Sequence, residues 1–343
     1  MGRHGVDEFP TDGEHGASVG LRISKPLARL NRATDNSTCG VRRPGGQSDP
    51  IGRLEAHASG AWRASRKGFS VEVVETLTNA QFQTVYNILS LALAAMAATT
   101  VFLLAVTPRV LPRYRLALVV SAMVCFIAAY HYMRIFDSFS DAYIAVGAGT
   151  PGVQEVFELV KGDGFNEGYR YVDWLLTVPL LLFETVAVLA LPAAVRRSLL
   201  WKLIPASALM IILGYPGEVT AEIAPKAIWG ALSTIPFIYI LYVLFVELSR
   251  AAKSQPNQVG KELAGLRWLL LATWGVYPIS YAFPMLGLDG ADAFVYRQIG
   301  YSLADVLAKC LYGLLIFKIA RIKSMDDSPE FAEAEMKEAP SSK

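Results

Sequence analysis

The chain has 343 residues, with 32 Lys/Arg and 30 Asp/Glu, so charged residues make up only 18% while hydrophobic ones reach 53%. A soluble globule usually carries about 25% charge, and the mean hydropathy of +0.35 argues against an ordinary cytosolic enzyme. A net charge of +2 gives no electrostatic footprint for nucleic acid, and three cysteines, Cys39, Cys125 and Cys310, are no disulfide framework.

In chain order, residues 1–70 come first. They are rich in Gly, Ser, Arg and Asp, hold eleven Lys/Arg and seven Asp/Glu, and contain no long apolar run. This composition predicts a disordered extension and no secretory signal. Val71 to Leu77 forms a short stretch with some amphipathic character.

Seven apolar runs follow, at about 82–106, 115–136, 168–191, 198–215, 226–248, 265–287 and 296–319. A helix needs about 20 apolar residues to cross a bilayer. The runs are continuous rather than alternating, so helices are the way to satisfy the backbone in lipid. The fourth is short and holds Pro205. The prediction is an all-α membrane protein, a seven-transmembrane-helix bundle over 71–323. A polar acidic tail follows at 324–343, and nothing suggests a bound metal.

The loops set the expected orientation. Arg109, Arg113 and Arg115 follow run one; Arg196, Arg197 and Lys202 follow run three. Arg250, Lys253 and Lys261 follow run five, and Arg321 and Lys323 follow run seven. The alternate loops are acidic: Asp137 to Glu167, then Glu218 and Glu222, then Asp289 and Asp292. Basic loops stay inside, which predicts an outer N-terminus and an inner C-terminus, in the cell membrane.

Ionisable residues at membrane depth are functional candidates. Run three carries Arg170, Asp173, Thr177 and Glu184. Eleven residues separate the two carboxylates, a turn of about 1100°, so they share one face about 16 Å apart along the axis. Run seven carries Asp305 and Lys309 at i+4, also one face. One amine with carboxylates above and below it makes a proton path; a neutralising Asp305–Lys309 pair is the simpler reading. Trp274, Tyr277 and Tyr281 lie on one helix face, and could wall an elongated apolar ligand or pack helix against helix.

The strings RYVDWLLTVPLLLFETVAVL and ADVLAK, with YHYMRIF, GYPGE, STIPF and WGVYPISY, resemble the microbial rhodopsins, and within them the xanthorhodopsin-like and proteorhodopsin-like proton pumps. The resemblance runs from about Gln81 to Lys323. It implies an outward light-driven proton pump, an ion translocator rather than an enzyme, with all-trans retinal on Lys309 as a protonated Schiff base. It implies Asp173 as proton acceptor, Asp305 as second counterion, Arg170 as organiser of the outer charges, Glu184 as cytoplasmic donor, and His131 as partner of the acceptor. The Asp173, Thr177, Glu184 triplet fits the proton pumps; the chloride pumps lack the acidic acceptor and the sodium pumps use Asn-Asp-Gln.

The same resemblance implies a pocket of Trp174, Thr177, Leu181, Met210, Gly214, Ser233, Trp274, Tyr277 and Pro278, with leucine at 181 going with green absorption. Gly230 matches the glycine that opens a slot for an antenna carotenoid; close helix packing is the other reading. The partners implied are lipid, protons and copies of the chain, as a pentamer or trimer. The residues used for rapid proton release in haloarchaeal pumps have no match, so the release group stays unassigned. A photosensor or light-gated channel on the same scaffold is the alternative, and a retinal-free receptor or carrier a more distant one. Glu184 argues against the sensor.

Overall fold

In lipid there is no water to satisfy a stray N–H or C=O, so each apolar run must close its hydrogen bonds internally. The computed structural model describes residues 74–338, apart from 148, 150, 151, 161–163 and 221. The extension at 1–70 and residues 339–343 of the tail lie outside the described residues.

Among the described residues seven long helices follow one another: α1 (Asn79–Val106), α2 (Pro112–Ala142), α3 (Gly168–Val188), α4 (Ala193–Glu218), α5 (Ile223–Tyr242), α6 (Asn257–Tyr281) and α7 (Gly290–Asp305). A π turn at Val243–Glu247 and one more helical stretch, Leu248–Ala251, prolong α5. A second π turn, Val306–Leu311, carries α7 onward into Tyr312–Asp327. A short helix, α8 (Pro329–Glu338), closes the described chain.

The helix starts are chemically marked. Thr78 and Gln81 cap α1 reciprocally: the Gln81 N–H donates to Thr78 Oγ1 at 3.2 Å and the Thr78 N–H to Gln81 Oε1 at 2.9 Å, a capping box. Proline opens α2 and α8 at Pro112 and Pro329, where its missing N–H costs nothing. Ser328 caps α8 by accepting the Phe331 N–H.

The buried seam of α1 reads Val85, Leu89, Ala92, Met96 and Leu103, steps of three, four and seven that keep one stripe against the neighbours. Outward, large apolar side chains such as Phe102, Phe126, Trp201, Ile235 and Trp268 stand exposed. A belt of this kind is what a lipid-facing surface requires, and the chain is a multi-pass integral membrane protein.

Five expectations are refined. Between runs two and three, α2 continues to Ala142, and a hairpin of β2 (Tyr143–Val146) and β3 (Val156–Leu159) follows. Residues Thr76–Thr78, at the end of the stretch read as weakly amphipathic, form β1 instead. The sheet order is β1-β3-β2, antiparallel throughout, with Leu77 opposite Phe157 and Ala145 opposite Phe157 on the other side. Phe157 stacks on Phe82 of α1 at 3.8 Å, which fixes the sheet over the end of the bundle. Gly147 turns the hairpin at φ 84°, a conformation that disfavours side chains.

Helix four runs through Pro205 and Pro216; neighbouring helices make such prolines tolerable in membranes. Helix six begins at Asn257 and ends at Tyr281, earlier than the apolar run, because hydropathy marks the hydrocarbon layer and not the helix. The polar tail is helical at Pro329–Glu338, and Glu335 accepts from Arg321 at 2.7 Å and Arg109 at 3.4 Å. Those pairs, with the Leu111 N–H on Ser324 Oγ at 2.9 Å, gather the basic loops at the end opposite the sheet.

Candidate functional site

Helix three sets the site. Arg170, Asp173, Trp174, Thr177, Leu181 and Glu184 are all buried and recur at spacings of three, four or seven that keep them on one face. Helix seven faces them with Asp305 and, on its π turn, Lys309. A π turn is a local widening that recurs at functional sites; here it carries the amine. Lys309 is 2% exposed, Asp173 and Asp305 1% each, and Glu184 0%.

The ammonium lies between the two carboxylates. Lys309 Nζ is 2.5 Å from Asp173 Oδ2 and 2.9 Å from Asp305 Oδ1. The two acids are held differently. Asp305 accepts from Tyr277 at 2.6 Å, Tyr132 at 2.8 Å and the Trp174 indole at 3.2 Å. Arg170 Nη1 also stands 4.0 Å from it. Asp173 has the lysine on one oxygen, while Oδ1 has no hydrogen-bond partner. His131 Nδ1 is 3.9 Å from that oxygen and 2.9 Å from the Ile127 carbonyl, so its near nitrogen is bonded to backbone. Thr177 Oγ1 donates to the Asp173 carbonyl at 2.8 Å, and not to its carboxylate.

On the sheet side the polar network continues. Arg170 donates to Tyr132 at 2.9 Å and to Gln298 Oε1 at 2.7 Å. Gln298 Nε2 donates to Glu167, whose other oxygen accepts from Arg297 at 3.1 Å. On the opposite side Glu184 stands apart, with both oxygens lacking a hydrogen-bond partner. Ser121 of α2 is the polar side chain beside it. Nearby, the Tyr312 and Thr185 hydroxyls are hydrogen-bonded.

A cavity lined mainly by apolar and aromatic side chains, as small-molecule sites are, opens beside this cluster. Of the residues expected in a pocket, Trp174, Met210, Gly214, Ser233, Trp274, Tyr277 and Pro278 line it, as does Gly230; Thr177, Leu181 and Lys309 are not on its wall. Trp174 and Tyr277 link it to the charges, since both also bond Asp305. Apolar walls that end at the partners of Asp305 fit an elongated apolar ligand. Tyr281 lies against Gly230, where an added Cβ would meet its Cε1 at 2.8 Å.

The bacteriorhodopsin-like protein family matches residues 83–323. The chain belongs to this family. It is a microbial rhodopsin. The green-light absorbing proteorhodopsin of gamma-proteobacterium EBAC31A08 is 33% identical over 232 residues, 67% of this chain and 84% of that one. Among solved structures, a thermophilic rhodopsin superposes with a TM-score of 0.70 at 48% identity, covering 75% of this chain and all of that one. Xanthorhodopsin, described as a light-driven ion pump with dual chromophore, does so with a TM-score of 0.69 at 45% identity, covering 74% and 98%.

Sequence reasoning missed Tyr132, Gln298 and Glu167 as parts of the site of this rhodopsin, and Tyr301, which lines the cavity with its ring 5.5 Å from that of Trp174. Tyr132 is the neighbour of His131, and a tyrosine at membrane depth needs a partner for its hydroxyl, which was the available signal. Glu167 read as one of several loop acids.

Proposed function

We propose that this rhodopsin is a light-driven outward proton pump, with the sheet end outside and the basic end inside. The observation that carries the reading is the buried Lys309 ammonium between two unequally held carboxylates, with a lone Glu184 on the far side. The relatives support the same reading: proteorhodopsins in sequence and xanthorhodopsin in structure. The clustering of Arg109, Arg321 and Lys323 at one end supports the orientation.

When bound to Lys309 as a Schiff base, retinal supplies light absorption and an isomerisation that redirects the nitrogen's proton. Everything else falls to the chain's own residues. Asp173 accepts the proton: the N–H bond breaks, an O–H bond forms on the carboxylate, and both groups become neutral. Asp305 stays ionised, because hydrogen bonds to a charged group stabilise it by about 1.5–3 kcal/mol each and it accepts three from neutral donors. Asp173, with one oxygen unpartnered, has the least to lose on protonation.

Glu184 holds the return proton. A lone carboxyl in apolar surroundings disfavours the charged form, and Leu180, Leu181, Leu182 and Phe183 precede it in sequence. It gives its proton to the Lys309 nitrogen and regains one from the inner side. His131, 3.9 Å from Asp173 with its near nitrogen on the Ile127 carbonyl, is the polar neighbour of the acceptor.

An antenna carotenoid alongside the retinal belongs to the same proposal on the strength of the dual chromophore of xanthorhodopsin; Gly230 itself has Tyr281 packed against it, so a carotenoid there would require that ring to move. Assembly as a pentamer or trimer belongs to the same proposal and is read from native mass. The deciding experiment illuminates cells expressing the full chain with retinal and records external pH. Acidification that an uncoupler abolishes is expected; light-independent pH, in membranes that have become coloured, overturns the pump and leaves a pigment of another purpose.

A further inference from the structure

The pump reading leaves open which group gives up a proton to the outside, and the structure holds an unused carboxyl there. Glu218 ends α4, is 9% exposed, and accepts one hydrogen bond among the described residues, from the Tyr171 hydroxyl at 3.4 Å. Across from it, Glu167 is bonded by both Arg297 and Gln298. Arg297 and Glu167 lie within electrostatic reach of Glu218, as does Lys226. Among the described residues, Glu167 and Glu218 thus both lie near the Arg297 guanidinium at the sheet end of the bundle, and Glu167 forms an ion pair with it.

We propose that Glu218 is the carboxyl that releases the proton to the outer medium, triggered through the Arg170–Gln298–Glu167–Arg297 chain; this rests on the pump reading above. Glu167 is the ion-pair partner of Arg297 at 3.1 Å. Glu218, with its single long hydrogen bond, carries the proton in the dark.

When the proton moves from Lys309 to Asp173, the ion pair beside Arg170 is neutralised, and Arg170 is bonded through Gln298 to Glu167, the carboxylate paired with Arg297. Loosening of that chain lets the Arg297 guanidinium approach Glu218, an opposite charge nearby favours the carboxylate, and the proton there is expelled. The O–H bond of Glu218 breaks, the proton enters outer water, and the carboxylate remains opposite Arg297. Later Asp173 loses its proton outward and Glu218 regains one, so the cycle moves one proton in all.

The test uses the full chain with retinal in vesicles, a pH-indicating dye in the outer medium, and a flash, at a series of pH values. Among the described residues, the groups around Glu218 that also carry charge or titrate are Glu167, Arg297, Lys226, Tyr171, Tyr281 and Tyr301. In the wild type, the dye should report a proton while the Lys309 nitrogen is losing its own. In Glu218→Gln this early phase should be lost at every pH, with release delayed until the nitrogen is reprotonated and its deprotonation rate unchanged. Tyr171→Phe removes the hydrogen bond and leaves the charges, so it should move the pH at which the early phase disappears. This holds even if Glu218→Gln yields no pigment. An early phase surviving in Glu218→Gln, an unmoved pH in Tyr171→Phe, or only late release in the wild type each overturns the proposal while leaving the pump intact. No proton signal in the wild type overturns both.

Discussion

Replacing Asp173 by Asn removes one negative charge from beside Lys309 and keeps the side-chain shape. At 2.5 Å and an effective dielectric of about 20, the lost attraction is roughly 6–7 kcal/mol before the compensating relief of desolvation. Asp305, at 2.9 Å, still supplies about 6 kcal/mol on the same scale. The ammonium therefore keeps a partner, and the variant should fold and take up retinal. Its colour should move to the red: an anion beside the nitrogen favours positive charge there, light moves that charge away, and without the anion the excitation requires less energy. Pumping should fall by about 10²–10⁴, the usual effect of removing a proton-accepting group.

The mirror variant Asp305→Asn should behave differently. It leaves the donors of Tyr132, Tyr277 and Trp174 facing an amide, at about 1.5–3 kcal/mol for each charge-assisted bond weakened. It should lose more thermal stability than Asp173→Asn, read as loss of colour on heating. Absorption spectra, melting of the pigment and light-driven acidification of the same preparations measure all three effects. Wild-type acidification by Asp173→Asn, or greater heat lability of Asp173→Asn than of Asp305→Asn, would refute the assignment of acceptor and anchor.

Three other variants probe separate links. Lys309→Ala should give no visible pigment with retinal, and a normal spectrum would move the attachment elsewhere. Glu184→Gln should prolong the lifetime of the deprotonated Lys309 nitrogen by about 10²-fold or more, with its formation rate unchanged; flash spectroscopy reads both, and an unaltered decay places the donor at another residue. Gly217→Ala should destabilise the bundle by about 1–3 kcal/mol, as overpacking does. Its new Cβ would collide with the Tyr281 hydroxyl, which donates to the Lys226 carbonyl at 2.6 Å. A melting temperature equal to wild type would show that Tyr281 is free to move.

Legibility differed from residue to residue for physical reasons. The Asp173–Glu184 stripe could be read from the sequence because helical geometry alone puts residues eleven apart on one face. Whether Lys309 meets Asp173 could not, since 136 residues separate them and only packing of α3 against α7 brings them together. The β-hairpin was hidden because its strands are three or four residues long and flanked by glycines, too short for a periodic signal. Glu167 looked like any loop acid until Arg297 and Gln298 closed on it.

The amino-acid order by itself determined that the chain crosses a membrane in helices, because apolar length and backbone hydrogen bonding leave no other solution. It also determined which ionisable residues lie at membrane depth. The tertiary structure alone decided that two similar aspartates are unlike. Three donors from two other helices and from α3 itself converge on Asp305 and leave an oxygen of Asp173 bare. Hydrogen bonds across helices depend on distances between segments, which no local spacing encodes.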